Sequence, residues 1–288
     1  MYIVLGATGH VGSVVADELL DKEGDVTIIT HSHEKAADWA KKGAKTAIAD
    51  VKDTDLLTSI FNTGKYLFLL NPPAPPDTDT DKEERLSVKS ILKALVNTPI
   101  ERIIAASTYG AQPGENIGNP GTLYDLEQGL KDLHIPYTII RAAYYMSNWE
   151  NSVASVTKEN RLYTFFPPDY KLPMVAPEDI GKIAAALLTK EIEDTSVRHV
   201  EGPEHYSAAD VANAFGKALG KPIGVKTIPE KDWIQTMRSI GFSEQAAASF
   251  AGMIKLLQYE NPEIPASPFK GNTTLEKYIR TMIEHQQR

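Results

Sequence analysis

Eleven residues near the start constrain this chain more than any others: Tyr2-Ile3-Val4-Leu5-Gly6-Ala7-Thr8-Gly9-His10-Val11-Gly12. Four mostly apolar residues lead into three glycines spaced three apart. Val11, Val14, Val15 and Leu19 then recur on one face of a 3.6-residue period. A strand, a glycine turn and a helix start follow one another directly, which is the junction that holds a dinucleotide diphosphate. Glycine permits the tight turn and the close approach of phosphate, and the helix start offers unpaired N–H groups at a positive dipole end. The bland alternative, a purely structural strand-to-helix turn, accounts for Gly6 but not for all three glycines.

Beyond that junction, apolar runs alternate with helix-patterned stretches. The strand-like runs are 26–30, 46–49, 66–70, 102–106 and 137–141; the helical ones are roughly 11–22, 33–42, 53–61, 81–96 and 122–133. Continuous apolar strands between helices predict a parallel sheet covered on both faces. With right-handed crossovers this becomes a doubly wound α/β Rossmann sheet, whose ligand lies at the C-terminal strand ends. From about residue 150 the alternation weakens. A helix through Leu188, short strands at 197–200 and 225–228, and helices to Leu219, near 231–240, at 244–258 and at the end predict a smaller, mainly C-terminal α+β domain. The expected division is 1–150 for the nucleotide-binding half and 151–288 for a substrate or partner half, with interleaving near 174–200.

The strand ends carry the chemistry. After the second strand comes His31-Ser32-His33-Glu34-Lys35, where an NAD-preferring site places an acid on the ribose hydroxyls. No carboxylate ends this strand, while His31 and Lys35 are at hand, so NADP(H) is favoured over NAD(H). The competing reading, a solvated helix start capped by Ser32, explains Ser32 but not the missing acid. Asp50, followed by Val51, is placed to meet an adenine edge, and Asp53 reads equally well as a helix cap. Asn71-Pro72-Pro73-Ala74-Pro75-Pro76 stops a strand and stiffens a loop over the expected cofactor face. The acidic run after it reads as a solvated lead-in and cap rather than a metal site, since it lacks the glycine and glutamate of a calcium loop. Tyr145 and Asn148 follow the last strand of the first half and supply a hydroxyl and an amide, beside the plainer reading of these aromatics as core.

Ser107 stands where the short-chain dehydrogenase pattern has a serine working with a downstream Tyr-x-x-x-Lys. Here the segment reads Tyr124-Asp125-Leu126-Glu127-Gln128, with Gln in the lysine's place. The usual apparatus for alcohol oxidation or sugar epimerisation is therefore missing, and no catalytic residue is assigned.

Bulk composition narrows the rest. A net charge of −8 with no clustered Lys/Arg stripe argues against direct nucleic-acid binding. The chain has no Cys, so disulfides, thiolate nucleophiles and Cys-held metals are excluded. His199, His205 and His285 have no second ligand at metal spacing and read as packing or surface residues, so no metal is expected. No apolar run reaches the length of a membrane span, and the first strand begins at residue 2. A cytoplasmic protein without membrane contact is the expectation.

Several motifs together resemble the NmrA-like branch of the atypical short-chain dehydrogenase/reductases. They are the glycine stretch 6–12, the segment 31–35, Ile135-Pro136-Tyr137-Thr138-Ile139-Ile140-Arg141, Pro177-Glu178-Asp179-Ile180-Gly181, the stretch 201–207, and Gly271-Asn272-Thr273-Thr274-Leu275-Glu276. The resemblance implies that Thr8, Gly9, His10 and Val11 cradle the diphosphate and that His31 to Lys35 surround the adenosine 2′ position. It also implies that Asp50 and Val51 meet adenine, and that Asn71, Pro72, Pro73 and Tyr145 to Asn148 line the ribose and nicotinamide. The chain departs from the family in having His31 where Arg is common, and Leu123 where some members carry a lysine base. Two activities follow from the resemblance. One is hydride transfer from NADPH to a quinone-like small electrophile, which asks little of the protein beyond orientation. The other is a non-catalytic redox sensor that binds NAD(P) and a regulatory protein partner.

Overall fold

The computed structural model describes residues 1–22, 24–190, 195–259 and 265–286. In the first half, β1 (Tyr2–Leu5), α1 (His10–Leu20), β2 (Val26–Thr30), α2 (His33–Lys41), β3 (Lys45–Ile48) and α3 (Thr54–Phe61) alternate. They continue as β4 (Tyr66–Leu69), α4 (Thr80–Leu95), β5 (Arg102–Thr108), α5 (Asn119–Asp132) and β6 (Tyr137–Ala142). The second half adds β7 (Tyr144–Tyr145), a 3-10 turn (Met146–Ser152), α6 (Val153–Lys158), β8 (Arg161–Thr164), β9 (Leu172–Val175) and α7 (Pro177–Thr189). Then come β10 (Ser196–Glu201), β11 (His205–Tyr206), α8 (Ala208–Leu219), β12 (Gly224–Thr227), α9 (Trp233–Ser239), α10 (Glu244–Tyr259), β13 (Phe269–Lys270) and α11 (Leu275–Gln286).

Eight strands form one sheet in the order β13-β10-β6-β5-β4-β1-β2-β3, and every pairing in it is parallel. Strand alternation sends Val4, Ile28, Phe68, Ile104 and Ile140 to a core under α1, α2 and α7. Their neighbours Ile3, Leu5, Ile29, Leu67, Leu69, Ile103 and Ile139 go to a second core under α3, α4 and α5. Both faces are covered, as the apolar runs require. The strand order reverses between β1 and β4, which opens the crevice of a doubly wound sheet at their C-terminal ends.

The outer strands come from the second half. Ser196 to Val200 of β10 pair with Thr138 to Ala142 of β6, and β13 pairs with β10 beyond it. α7 returns to the sheet and packs against α1, where Gly181 leaves no room for a side chain beside Val14. The remaining elements bury a third core around Met146, Trp149, Phe166, Met174, Phe215 and Ile279. β7, β9 and β11 make a small three-stranded sheet, and β8 pairs with β12. Strands of two to four residues are too short for a period to register, and Pro173 inside β9 disguises it further. Among the described residues no helix is long and apolar enough to cross a membrane.

Candidate cofactor site

Because the sheet is parallel, the segments after its strands all reach the same edge. From one side to the other they run 50–51, 31–35, 6–12, 71–73, 107 and 145–148, and the glycine loop and Asn71 flank the reversal point.

The glycine loop is shaped by its own packing at two of its three glycines. Gly6 has φ +92°, a conformation side chains rarely adopt, and a Cβ there would press on Leu70. A Cβ on Gly12 would lie 2.2 Å from the Gly6 carbonyl oxygen. Gly9 differs: its N–H closes the turn on the Gly6 carbonyl at 3.1 Å, its φ is −96°, and a Cβ would meet that oxygen at an ordinary 3.6 Å. Two glycines are thus demanded from within, more than the sequence reading allowed, and Gly9 alone is left to an outside molecule. Ser32, Asp53, Asp79 and Ser207 cap α2, α3, α4 and α8 with side-chain oxygens. Among the described residues no side chain caps α1, and its first turn carries no acid. With Thr8, Gly9 and His10 exposed, the start of α1 is an open group of N–H donors that fits a diphosphate. Val11 behind them is buried core.

At the end of β2, Thr30 Oγ1 accepts the Ser32 N–H at 3.1 Å, and Ser32 in turn caps α2 through the Lys35 N–H. Ser32 is therefore the cap, while His31, His33 and Lys35 stand exposed beside it. Asp50 accepts the Lys52 N–H at 2.9 Å and Val51 packs against the second core. Asp53 and Asp79 prove to be helix caps.

Asn71 is buried, and its amide nitrogen donates to the Glu84 carbonyl at 3.3 Å, while Oδ1 has no hydrogen-bond partner among the described residues. Such an orphan acceptor is costly unless something else reaches it, and it lies beside the crevice. Pro72 is half-buried and Pro73 exposed. Ser107, near the end of β5, is buried and hydrogen-bonded within the protein. Its hydroxyl donates to Glu127 Oε1 at 2.5 Å, and Arg141 clasps the same carboxylate through Nε at 3.0 Å and a terminal nitrogen at 2.7 Å. Leu123 packs against the second core.

On the far side, burial pushes the Tyr145 phenol up to about 12. Burial does the same to Tyr144, against a hydrogen bond with Asn148 that pulls it down. Both phenols stay protonated at physiological pH and are available as donors. His10 lies 3.5 Å from Glu150, whose other oxygen accepts the Tyr278 hydroxyl at 2.5 Å, so the glycine loop is linked to α11.

Three important carboxylates went unremarked in the sequence. Glu84 shares a face of α4 with Val88, Ile91 and Leu95, and Glu127 shares one of α5 with Leu123 and Leu130. An acid on an apolar stripe was the available signal for both. Glu201 is buried among the Tyr109 hydroxyl at 2.9 Å, Lys270 at 2.5 Å and His205 at 3.4 Å, and His199 packs edge-on against Tyr109. His199 is thus a packing residue and His205 an exposed partner of Glu201, and among the described residues no group of three or more acidic, His or Cys side chains gathers to hold a metal.

Comparison with known proteins adds an independent line. The model of the NmrA-like family matches residues 2–282. The NAD(P)H azoreductase of Xenophilus azovorans is 22% identical over 248 residues, which cover 86% of this chain and 84% of that one. Among solved structures, the triphenylmethane reductase of Citrobacter sp. complexed with NADP(H) has a TM-score of 0.82 at 19% identity, over 98% of this chain and 100% of that one. The NADPH-dependent quinone oxidoreductase of Escherichia coli complexed with NADPH has a TM-score of 0.75 at 20% identity, over 98% and 100%.

Proposed function

This chain belongs to the NmrA-like family, and on that premise we propose that it is an oxidoreductase binding NADP(H) in preference to NAD(H) and reducing a quinone-like small electrophile. One observation carries the reading: the uncapped start of α1, with a Gly9 that internal packing does not demand, beside the orphan acceptor of Asn71. Thr8, Gly9, His10 and Val11 would hold the diphosphate, and His31 and Lys35 would face the 2′-phosphate. Asp50 and Val51 would meet the adenine, and Asn71, Pro72, Tyr145 and Asn148 would line the ribose and nicotinamide.

When bound, the reduced cofactor supplies a hydride, and the acceptor takes that hydride and one proton to become the two-electron-reduced product. The protein's part is to orient two flat molecules and keep water from between them. The proton comes from solvent, because Ser107 is committed to Glu127 and Gln128 stands where a lysine would. Tyr145, kept protonated by burial, would donate a hydrogen bond to the bound molecules rather than give up its proton.

A second reading, a sensor of cofactor occupancy, is favoured by the link from His10 through Glu150 to Tyr278 on α11. NADPH oxidation followed with a panel of quinones and azo dyes separates the two. Turnover with any of them supports the reductase; cofactor binding with no turnover across the panel rejects it in favour of the sensor.

A further inference from the structure

The loop that leaves β4 is built almost without hydrogen-bond donors. In Pro72-Pro73-Ala74-Pro75-Pro76 only Ala74 has a backbone N–H, because the four prolines have none. That N–H is donated to Glu84 Oε1 at 3.2 Å. The other carboxylate oxygen of Glu84 accepts the buried Thr122 hydroxyl of α5 at 3.1 Å, and the Glu84 backbone carbonyl accepts the Asn71 amide at 3.3 Å. Glu84 is itself 8% exposed. One residue of α4 thus holds both the side chain that opens the loop and the single amide within it.

Prolines with fixed φ make this loop a stiff strut rather than a flexible tether. A strut has few internal ways to adjust, so its aim is set by where it is fastened. Its far end is fastened too: Ser243, just before α10, donates its N–H to the Pro76 carbonyl at 2.9 Å and its hydroxyl to the Thr78 carbonyl at 2.6 Å. At the near end nothing within the loop replaces Glu84, since four of its five residues lack the donor. A surface residue would be a poor fastener for such a loop; a buried carboxylate on a long helix, held from its other side by Thr122, is a fixed one.

We propose that Glu84 is a positioning residue for the nucleotide site, pinning the proline strut through Ala74 so that Asn71 and its unpaired oxygen keep their place at the C-terminal end of β4, beside the crevice. This rests on the reading of that crevice as a dinucleotide site.

The test compares wild type with Glu84→Ala and Glu84→Gln. Gln keeps an acceptor for the Ala74 N–H and offers its amide to the Thr122 oxygen. The first readout needs no cofactor: hydrogen exchange of the Ala74 amide, the one exchangeable amide in 72–76. The second is NADP+ affinity by calorimetry. Glu84→Ala should speed Ala74 exchange and weaken NADP+ binding by about tenfold or more, the scale of one hydrogen bond to a charged group. Glu84→Gln should restore both to within about threefold, well inside that range.

Unchanged Ala74 exchange in Glu84→Ala, or faster exchange with unchanged NADP+ affinity, overturns the proposal. Failure of Glu84→Gln to restore binding also overturns it. If Glu84→Ala does not fold, Ala74→Pro removes the donor from the loop side, at a position already biased to the polyproline conformation by Pro75. The same loss of affinity is expected there, and unchanged affinity overturns the proposal. If wild type binds neither NADP+ nor NAD+, the dinucleotide reading falls by itself. Ala74 exchange then decides separately on the pinning: acceleration in Glu84→Ala supports it and no change overturns it.

Discussion

The Ser107 hydroxyl lies 2.5 Å from Glu127, a carboxylate that Arg141 grips at the same time with two nitrogens. The three groups join β5, α5 and β6 where the sheet ends, and Glu127 and Ser107 are almost fully buried. Removing the acid leaves Arg141 without its carboxylate in a poorly hydrated place. Glu127→Ala should cost about 3–5 kcal/mol in urea unfolding, the scale for breaking a buried ion pair. Ser107→Ala, which leaves the pair intact, should cost only about 1–2 kcal/mol. Equal costs for the two substitutions would show that the pair is not what holds these elements.

The glycine loop offers a separation of folding from binding. Gly12→Ala forces a Cβ to within 2.2 Å of the Gly6 carbonyl oxygen and should lower the melting temperature by several degrees, a loss of about 2–3 kcal/mol. Gly9→Ala meets only an ordinary 3.6 Å contact, so its melting temperature should stay near wild type. Its NADP+ affinity should nonetheless fall by about tenfold or more, because the new methyl stands where phosphate must approach the backbone. Calorimetry and thermal melts on the two variants check this. An affinity for Gly9→Ala equal to wild type would place the diphosphate elsewhere.

Cofactor choice should rest on the two exposed side chains at the end of β2. Replacing His31 and Lys35 together by Ala should weaken NADPH binding by about tenfold and leave NADH nearly unchanged, since only the former offers a phosphate to them. Competitive titration of the two nucleotides reads the ratio directly. An equal loss for both would remove the 2′-phosphate from this position.

Acid stability should turn on Glu201. Burial pushes its carboxyl up, but the Lys270 ammonium and the Tyr109 hydroxyl outweigh that and hold it below its ordinary 4.5. A folded-state value below the unfolded one gives stability that is present above about 4.5 and disappears as pH falls through the folded value. Wild type should therefore lose melting temperature on acidification below pH 5 more steeply than Glu201→Gln, while being the more stable of the two at neutral pH. Parallel acid limbs would mean that the carboxylate's partners contribute nothing net.

Local pattern carried much of this architecture into the sequence. The six strands 2–5 through 137–142 were legible because each is a largely apolar run between helices, and the cap Ser32, given as the competing reading, because it precedes a patterned helix. In the second half the strands at 197–200 and 225–228 were legible as β10 and β12, whereas β7, β8, β9, β11 and β13 were not: three of these are two residues long, β8 opens on Arg161, and Pro173 interrupts β9. The membership of β10 in the main sheet was legible only as an expected interleaving near 174–200, and that of β13 was not legible, because parallel pairing across sixty or more residues leaves no local trace. The same limit applies at the site. Ser107 could be seen at a strand end, but its partner Glu127 sits twenty residues on, and only the fold brings them together. Glu84 lies on the apolar stripe of α4, but as one acid in an acid-rich helix start it stands out less, and its partner Thr122 is reached only when α5 packs against α4.

The pairing of β6 with β10 has a consequence for how the protein is made. A ribosome delivers β6 some sixty residues before the strand that covers it. During that interval the nascent sheet ends in Ile139 and Ile140 with a row of unanswered backbone groups, the kind of edge on which chains aggregate. A fragment stopped near residue 150 would keep that edge permanently and should be recovered in inclusion bodies rather than as a working nucleotide-binding module.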